Sequence, residues 1–224
     1  MEIRFNDTPS ISSPAIQLVV FDCDGVIIDS VEIKNRAFGE LVKAHGSAAA
    51  ERMAAYHLAN GGVSRYRKFE WFYTEVLGRE ITHDQLEELG KRFQKLVLDA
   101  VVDAPLMPGI QETLDQLHRR VPMSVASGTP HEELVAILDT RGLSRFFTHM
   151  CGSPPGKTEL LARIIDMHDV AASCVVMVGD SLTDLEAAGA CGCSFFGIGD
   201  AFTDISWPTG KNCRDFNHWI QDLL

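Results

Sequence analysis

Residues 16–30 read IQLVVFDCDGVIIDS, an apolar run that ends in two aspartates separated by one residue. A short run in which nearly every residue is apolar is typical of a strand buried on both faces of a parallel sheet. Similar runs follow at 121–126, 174–178 and 194–198, and helical patterns lie among them at 110–120, 130–141, 157–168 and 184–191. This alternation predicts an α/β fold with a doubly wound, Rossmann-like and mostly parallel sheet.

The segment 32–104 differs from the rest because it has helical spacing and no convincing strand. Its apolar residues recur at intervals of three and four, as in Phe69, Phe72, Tyr73 and Val76. The sequence therefore predicts two parts: a core formed by residues 1–31 and 105–224, and an all-helical cap at 32–104, inserted after the first strand. We call this second part the helical insert.

Composition limits the partners of the protein. Lys and Arg total 20 against 31 Asp and Glu, a net charge of −11, which argues against a surface that tracks nucleic acid or anionic lipid. No run approaches the roughly 18 apolar residues that span a bilayer, and the polar residues 1–15 lack the apolar region of a secretory signal. Six scattered cysteines fit reduced thiols. We expect a cytoplasmic protein with a small-molecule partner and no obligate protein partner.

Polar side chains follow three of the predicted strands and open one helix. Because the carboxyl ends of parallel strands meet at one edge of a sheet, we expect these groups to converge there. Several carboxylates in one place repel one another without a cation, and an oxygen-only ligand set favours Mg²⁺ over zinc. The alternative is that each acid caps a helix or forms a turn on its own. The residues concerned are Asp22, Asp24, Ser127, Gly128, Lys157, Asp180 and Asp184.

These residues give the chain a resemblance to the haloacid dehalogenase superfamily, on the side that includes phosphoglycolate phosphatase and β-phosphoglucomutase. DCDGVIIDS at 22–30 resembles the signature D-x-D-G-x-x-x-D-S/T, and GDSLTD at 179–184 resembles the fourth motif of the family. Ser127-Gly128 resembles the second motif and Lys157 the third. The helical insert lies where this family places its helical cap.

The resemblance implies a role for each catalytic residue. Asp22 would be the nucleophile, forming an aspartyl-phosphate, and Asp24 would protonate the leaving oxygen and then activate water. Ser127, Gly128 and Lys157 would bind phosphoryl oxygens.

The resemblance also implies a metal site. Mg²⁺ would be held by Asp22, by the backbone carbonyl of Asp24 and by Asp180, with Asp184 supporting the site. The second aspartate of the first motif also favours phosphate esters over haloalkanoates, because a halide needs no general acid.

The helical insert contains GGVSRYRK at 61–68. Gly62-Val63-Ser64-Arg65 resembles the cap loop of β-phosphoglucomutase, in which the arginine holds the non-reacting phosphate of the substrate. Gly62, Arg65 and Lys68 are therefore candidate substrate-binding residues. The alternative is that Ser64 caps a helix whose basic face is solvated.

We favour a phosphatase of a small phosphorylated metabolite, a sugar phosphate or a phospho-acid. A phosphomutase of the β-phosphoglucomutase type and a non-catalytic binding module on the same fold are the alternatives. Two departures weaken assignment to either named enzyme. Lys157 is followed by TELL where those enzymes usually carry K-P-x-P-D, and Lys34 stands where the mutase pattern tends to have a histidine.

Overall fold

A computed structural model describes residues 15–202 and 206–224, so most of the segment 1–15, expected to carry no secretory signal, lies outside the described residues. The core is one sheet in which every pairing is parallel, with the strand order β3-β2-β1-β4-β5-β6. This arrangement confirms the predicted α/β class. The strands are β1 (Leu18–Phe21), β2 (Met123–Pro130), β3 (His149–Ser153), β4 (Val175–Gly179), β5 (Ser194–Ile198) and β6 (Thr209–Gly210).

Helices cover both faces of the sheet, which explains why the central strands are apolar throughout. Val19 and Phe21 pack into one hydrophobic cluster, whereas their neighbours Leu18 and Val20 pack into the cluster on the opposite face. The core helices are α5 (Ile110–Leu117), α6 (His131–Thr140), α7 (Lys157–His168), α8 (Leu182–Cys191) and α9 (Cys213–Ile220).

The residues between β1 and β2 form helices, as their spacing indicates. These are α1 (Val31–Val42), α2 (Ser47–Ala59), α3 (Arg65–Trp71), which continues as a π-helical turn over Phe72–Val76, and α4 (His83–Asp103). They surround their own buried side chains, among them Phe38, Met53, Phe69, Phe72 and Phe93. The proposed boundaries of the helical insert at 32 and 104 stay a prediction.

The structure adds two strands that the sequence pattern does not reveal. β3 (His149–Ser153) is an edge strand with three half-buried residues, and β6 spans only two residues. Neither has the apolar run that marks a strand covered on both faces. None of the helices in the described ranges is long and apolar enough to span a membrane.

Candidate active site

The central strands bring the predicted polar residues to one edge of the sheet. β1 pairs with β2 on one side and with β4 on the other, with Phe21 in register with both Val125 and Val178. Asp22 therefore emerges between the part of β2 that carries Ser127 and the end of β4, which Asp180 directly follows. This is the point at which the strand order reverses, the usual ligand site of a doubly wound sheet.

Three carboxylates meet at this edge. Asp22, Asp180 and Asp184 each place one carboxylate oxygen within 4.8 Å of the others. Lys157 Nζ lies 2.8 Å from Asp22 Oδ2 and 2.5 Å from Asp184 Oδ1. Asp184 also accepts hydrogen bonds from the backbone N–H and the hydroxyl of Ser181 at the start of α8. One buried lysine thus pairs with two of the three acids.

The crowding of these groups perturbs their protonation. Burial raises the pKa of Asp22 to about 7, with Lys157 opposing this shift and Asp184 and Asp24 adding to it. Burial and the neighbouring carboxylates of Asp22 and Asp184 also raise the pKa of Asp180 well above its ordinary value. A divalent cation would offset this repulsion, and the all-oxygen set fits Mg²⁺.

Gly25 leaves room for this acid cluster. Its φ is +78°, and a Cβ placed on it would lie 2.1 Å from Asp180 Oδ2. A side chain at this position would displace the carboxylate from the site. The first motif therefore needs glycine at this position to make room for Asp180, whatever turn the glycine also forms.

Asp24 is not part of the three-carboxylate cluster and binds a separate set of partners. Its Oδ2 accepts hydrogen bonds from Lys34 Nζ at 2.6 Å and from Thr129 Oγ1 at 3.0 Å, and its Oδ1 accepts one from the Ser30 hydroxyl. Burial alone would raise the pKa of Asp24, but the Lys34 ammonium and these hydrogen bonds hold it well below its usual range. The structure thus separates the two aspartates of the first motif into two networks.

Sequence reasoning missed the part that Thr129 plays in this network. Thr129 precedes Pro130 and a helical pattern and so resembles a helix cap, but β2 continues to Pro130 and the Thr129 hydroxyl binds Asp24 and Lys34 instead. Ser127 is buried, and its Oγ accepts a hydrogen bond from the Thr129 N–H at 3.1 Å. Gly128 and Thr129, rather than Ser127, line the cavity beside the site.

A cavity of about 260 Å³ lies between the sheet edge and the helical insert. The core lines it with the carboxylates of Asp22, Asp24 and Asp180. The helical insert lines it with three cations and one imidazole, which are Lys34, Arg65, Lys68 and His57. Apolar side chains also line the wall: Val31, which directly precedes the insert, and Phe38, Leu58, Val63 and Phe93 of the insert.

The glycine loop of the helical insert, Gly61-Gly62, rests directly on the edge of the sheet that carries the three carboxylates. The Thr183 hydroxyl donates a hydrogen bond of 2.6 Å to the Gly61 carbonyl. A Cβ on Gly62, whose φ is +72°, would lie 2.2 Å from Thr183 Oγ1 and 2.9 Å from Lys157 Nζ. A Cβ on Gly128 would lie 2.2 Å from the Gly62 carbonyl oxygen. Both glycines therefore permit the loop backbone to approach the core closely.

Arg65 makes an ion pair with the core that the sequence pattern does not reveal. Its Nη2 lies 2.6 Å from Glu133 Oε1 in the first turn of α6, and the two side chains are only 5% and 2% exposed. Its guanidinium also lies over the Phe93 ring, 4.6 Å from the centroid. Ser64 makes no side-chain capping hydrogen bond, so the alternative of a capped, solvated basic face does not describe this loop.

Lys68 is buried beside His57, a residue that the sequence pattern did not indicate as part of the site. Lys68 Nζ lies 2.7 Å from His57 Nδ1, and the ammonium lies 5.5 Å from the centroid of the Phe38 ring. Burial and the nearby Lys34 ammonium lower the pKa of Lys68 to about 7. Burial and Lys68 lower the pKa of His57 to about 3.

Comparison with known proteins places this site in context. Residues 16–192 match the haloacid dehalogenase-like hydrolases. The phosphoglycolate phosphatase of Vibrio parahaemolyticus is 29% identical over 197 residues, which cover 82% of this chain and 83% of the relative. That of Vibrio cholerae is 26% identical, covering 82% and 84%. The β-phosphoglucomutase of Clostridium difficile has the same fold, with a TM-score of 0.76 at 15% identity over 93% of this chain and 96% of its own.

Proposed function

This chain is a phosphatase of the haloacid dehalogenase-like hydrolase family, and from that premise we propose a Mg²⁺-dependent hydrolysis of a small phosphate monoester through an aspartyl-phosphate. The substrate is a sugar phosphate or a phospho-acid. The observation that carries this proposal is the cluster of Asp22, Asp180 and Asp184, in which Lys157 pairs with the two fully buried acids, beside a cavity of about 260 Å³.

Asp22 is the proposed nucleophile. One of its carboxylate oxygens attacks phosphorus, the bond from phosphorus to the ester oxygen breaks, and the phosphoryl group stays on Asp22 until water releases it. The Cys23 N–H donates to Asp22 Oδ1 at 2.7 Å and Lys157 holds Oδ2, so the carboxylate is fixed in orientation. Lys157 also provides positive charge for the oxygens of the transferring group.

Asp24 is the proposed acid and base. It carries a proton to the leaving oxygen in the first step and accepts one from the attacking water in the second. Asp24 is ionised before the reaction, because Lys34 holds its pKa well below the usual range. The proton that it passes to the leaving oxygen must therefore come from the Lys34 ammonium, which already donates to Asp24 Oδ2. Asp22, Asp180 and the Asp24 carbonyl, supported by Asp184, would hold Mg²⁺, which supplies positive charge between the nucleophile and the phosphate.

The ion pair of Arg65 favours a phosphatase over a phosphomutase. In the mutase pattern this arginine holds the second phosphate, whereas here its guanidinium is bound to Glu133. The cluster of mutually repelling acids disfavours a non-catalytic module, because a site without a cation and a substrate gains nothing from holding these carboxylates together.

The test is phosphate release by the purified protein from a panel of phosphate monoesters, with Mg²⁺ and with a chelator. Asp22→Asn should lower kcat by about 10³-fold or more, as expected when a covalent nucleophile is removed. Asp169→Asn, which changes an exposed aspartate, is the matched control. Mass spectrometry of the quenched wild-type reaction should find a phosphoryl group on Asp22. Full activity of the Asp22→Asn variant would contradict the proposal.

A further inference from the structure

A second hollow, of about 350 Å³, lies at the opposite end of the sheet from the candidate active site. Two loops form it: residues 118–122, which lead into β2, and residues 145–148, which lead into β3. Because β1, β2 and β3 are parallel, these loops meet at the amino ends of the strands. Met123 lines this hollow and Thr129 lines the active-site cavity, so the two sites are roughly 20 Å apart along one strand.

Three arginines converge on this second hollow, which we call the arginine hollow. Arg119 and Arg120 come from the first loop and Arg145 from the second. All three side chains are exposed, and none of them forms an ion pair with another residue that the structure describes. The described lining contains no acidic residue, although the chain has 31 Asp and Glu against 20 Lys and Arg. The arginine hollow is therefore a local concentration of positive charge on an acidic protein.

Neighbouring side chains hold the donors of the arginine hollow in place. The guanidinium of Arg145 lies over the Phe146 ring, 4.7 Å from its centroid. The His118 ring packs against the same phenyl ring at an interplanar angle of 86°, with the centroids 5.3 Å apart. Arg120 Nη1 donates a hydrogen bond to the side-chain oxygen of Gln221. These contacts orient the donors before any ligand arrives, which lowers the entropic cost of binding one.

Interaction with a helix end explains only part of this charge. Basic residues that follow a helix interact favourably with its last carbonyl groups, and His118, Arg119 and Arg120 directly follow α5. Arg145 lies instead in a single 3₁₀ turn, Ser144–Phe146, so the dipole of α5 gives no reason for a charge there. Two separate segments thus present charge of one sign to the same hollow, and a bound anion would relieve their repulsion.

We propose that the arginine hollow binds the oligophosphate group of a small molecule, meaning two or more linked phosphates. A guanidinium donates two parallel hydrogen bonds to the oxygens of a phosphate and stays charged at physiological pH. A chain of phosphates carries several negative charges, which match three arginines better than the charge of one phosphate does. A volume of about 350 Å³ is that of a small-molecule site. This site is independent of the proposed phosphatase function.

Calorimetric titration of the full-length, metal-free protein with inorganic triphosphate at low ionic strength tests the site. Arg119→Gln and Arg145→Gln should each lower the affinity about 10- to 100-fold, the worth of one charge-assisted hydrogen bond. Arg145→Lys, which keeps the charge but loses the planar fork, should retain part of the affinity. A parallel titration with ATP identifies the source of the oligophosphate. Tighter binding of ATP than of triphosphate indicates a nucleotide, and equal affinity indicates recognition of the phosphate chain alone.

Two control variants separate the arginine hollow from other cations. Arg92→Gln changes an exposed arginine of α4 away from the hollow, and Lys68→Met removes a cation from the active-site cavity. Both should bind triphosphate as the wild type does, and equal unfolding temperatures without ligand show that all variants fold. Absence of triphosphate binding by the wild type would overturn the inference. Binding that survives in both hollow variants, or that is lost in Lys68→Met, would also overturn it.

Discussion

Lys34 Nζ lies 2.6 Å from Asp24 Oδ2, and the two residues belong to different parts of the molecule. Asp24 follows the first strand of the core, whereas Lys34 lies on the first helix of the helical insert. The proposed acid and base of the reaction therefore receives its counter-charge from the insert. In the proposed reaction, Lys34 therefore influences the protonation of the leaving group through Asp24.

Lys34→Met should impair esters with poor leaving groups most. Without the ammonium, the buried Asp24 loses its main charge partner and a nearby proton donor, so kcat for an alkyl phosphate should fall about 10²-fold. The loss should be smaller for 4-nitrophenyl phosphate, whose leaving group needs little proton assistance. Lys43→Met, at an exposed lysine just after the same helix, is the control. Equal losses for both esters would show that Lys34 does not act on the leaving group.

Breaking the ion pair between Arg65 and Glu133 should destabilise the fold. Each single variant, Arg65→Met or Glu133→Leu, leaves one buried charge alone, at a cost of about 3–5 kcal/mol in the free energy of unfolding. The double variant should recover most of that loss, as measured by urea denaturation. If the two single losses simply add in the double variant, the pair is not coupled. A rise in KM with unchanged stability in Arg65→Met would assign this arginine to the substrate instead.

Gly62→Ala should lower activity through a collision rather than through backbone strain alone. Gly46 is the matched comparison because it also has a positive φ, of +100°, but a Cβ placed on it would have no atom within 4 Å, whereas one on Gly62 would have two polar atoms within 3 Å. Both alanine variants should lose roughly 1 kcal/mol or more of unfolding free energy. Only Gly62→Ala should also lower kcat/KM strongly in a phosphate-release assay. Similar kinetics for the two variants would mean that the contact with Thr183 and Lys157 is dispensable.

The effect of Mg²⁺ on stability should grow with pH. The pKa of Asp22 in the folded, metal-free protein is raised to about 7, so the folded state holds this proton more tightly than the unfolded state. Metal-free stability should therefore fall as pH rises from about 4, the pKa of an unfolded aspartate, through 7. Mg²⁺ binds the ionised carboxylates, so it should raise Tm more at pH 8 than at pH 5.

Thermal unfolding with Mg²⁺ and with a chelator measures this effect at both pH values. Asp180→Asn removes one proposed ligand and should abolish the gain in Tm. A gain of the same size at pH 5 and pH 8 would contradict the assignment of these carboxylates to the metal.

The sequence predicted the central sheet well because burial on both faces leaves a strong signal in β1, β4 and β5. It missed β3, whose residues HMCGS include a half-buried histidine and a glycine and lie at an edge. It missed β6 because two residues are too few for any periodicity. A strand at the edge of the sheet has only one neighbouring strand and needs fewer apolar residues, so its sequence shows a weaker hydrophobic pattern.

The same distinction applies to the site. Residues that directly follow buried strands, such as Asp22 and Asp180, could be located from the pattern alone. The partners of the cations of the insert could not be located in this way. Glu133 and His57 lie on helices, and the apolar periodicity of a helix predicts which face packs but not which side chain a polar residue contacts. Thr129 precedes a proline and a helix and so resembles a cap, while its hydroxyl binds Asp24.

The cavity wall divides its charges by origin: within the described residues, its carboxylates all come from the core and its lysines and arginine all come from the helical insert. Grafting an insert from a relative onto this core would therefore replace the cations that attract an anionic substrate, and it would also change the shape of the cavity. An insert without cations at the positions of Lys34, Arg65 and Lys68 would leave the carboxylates of the wall to repel the phosphate. Chimeric enzymes built on this fold should accordingly be designed first to keep the charges of core and insert complementary, and only then to adjust the shape of the cavity.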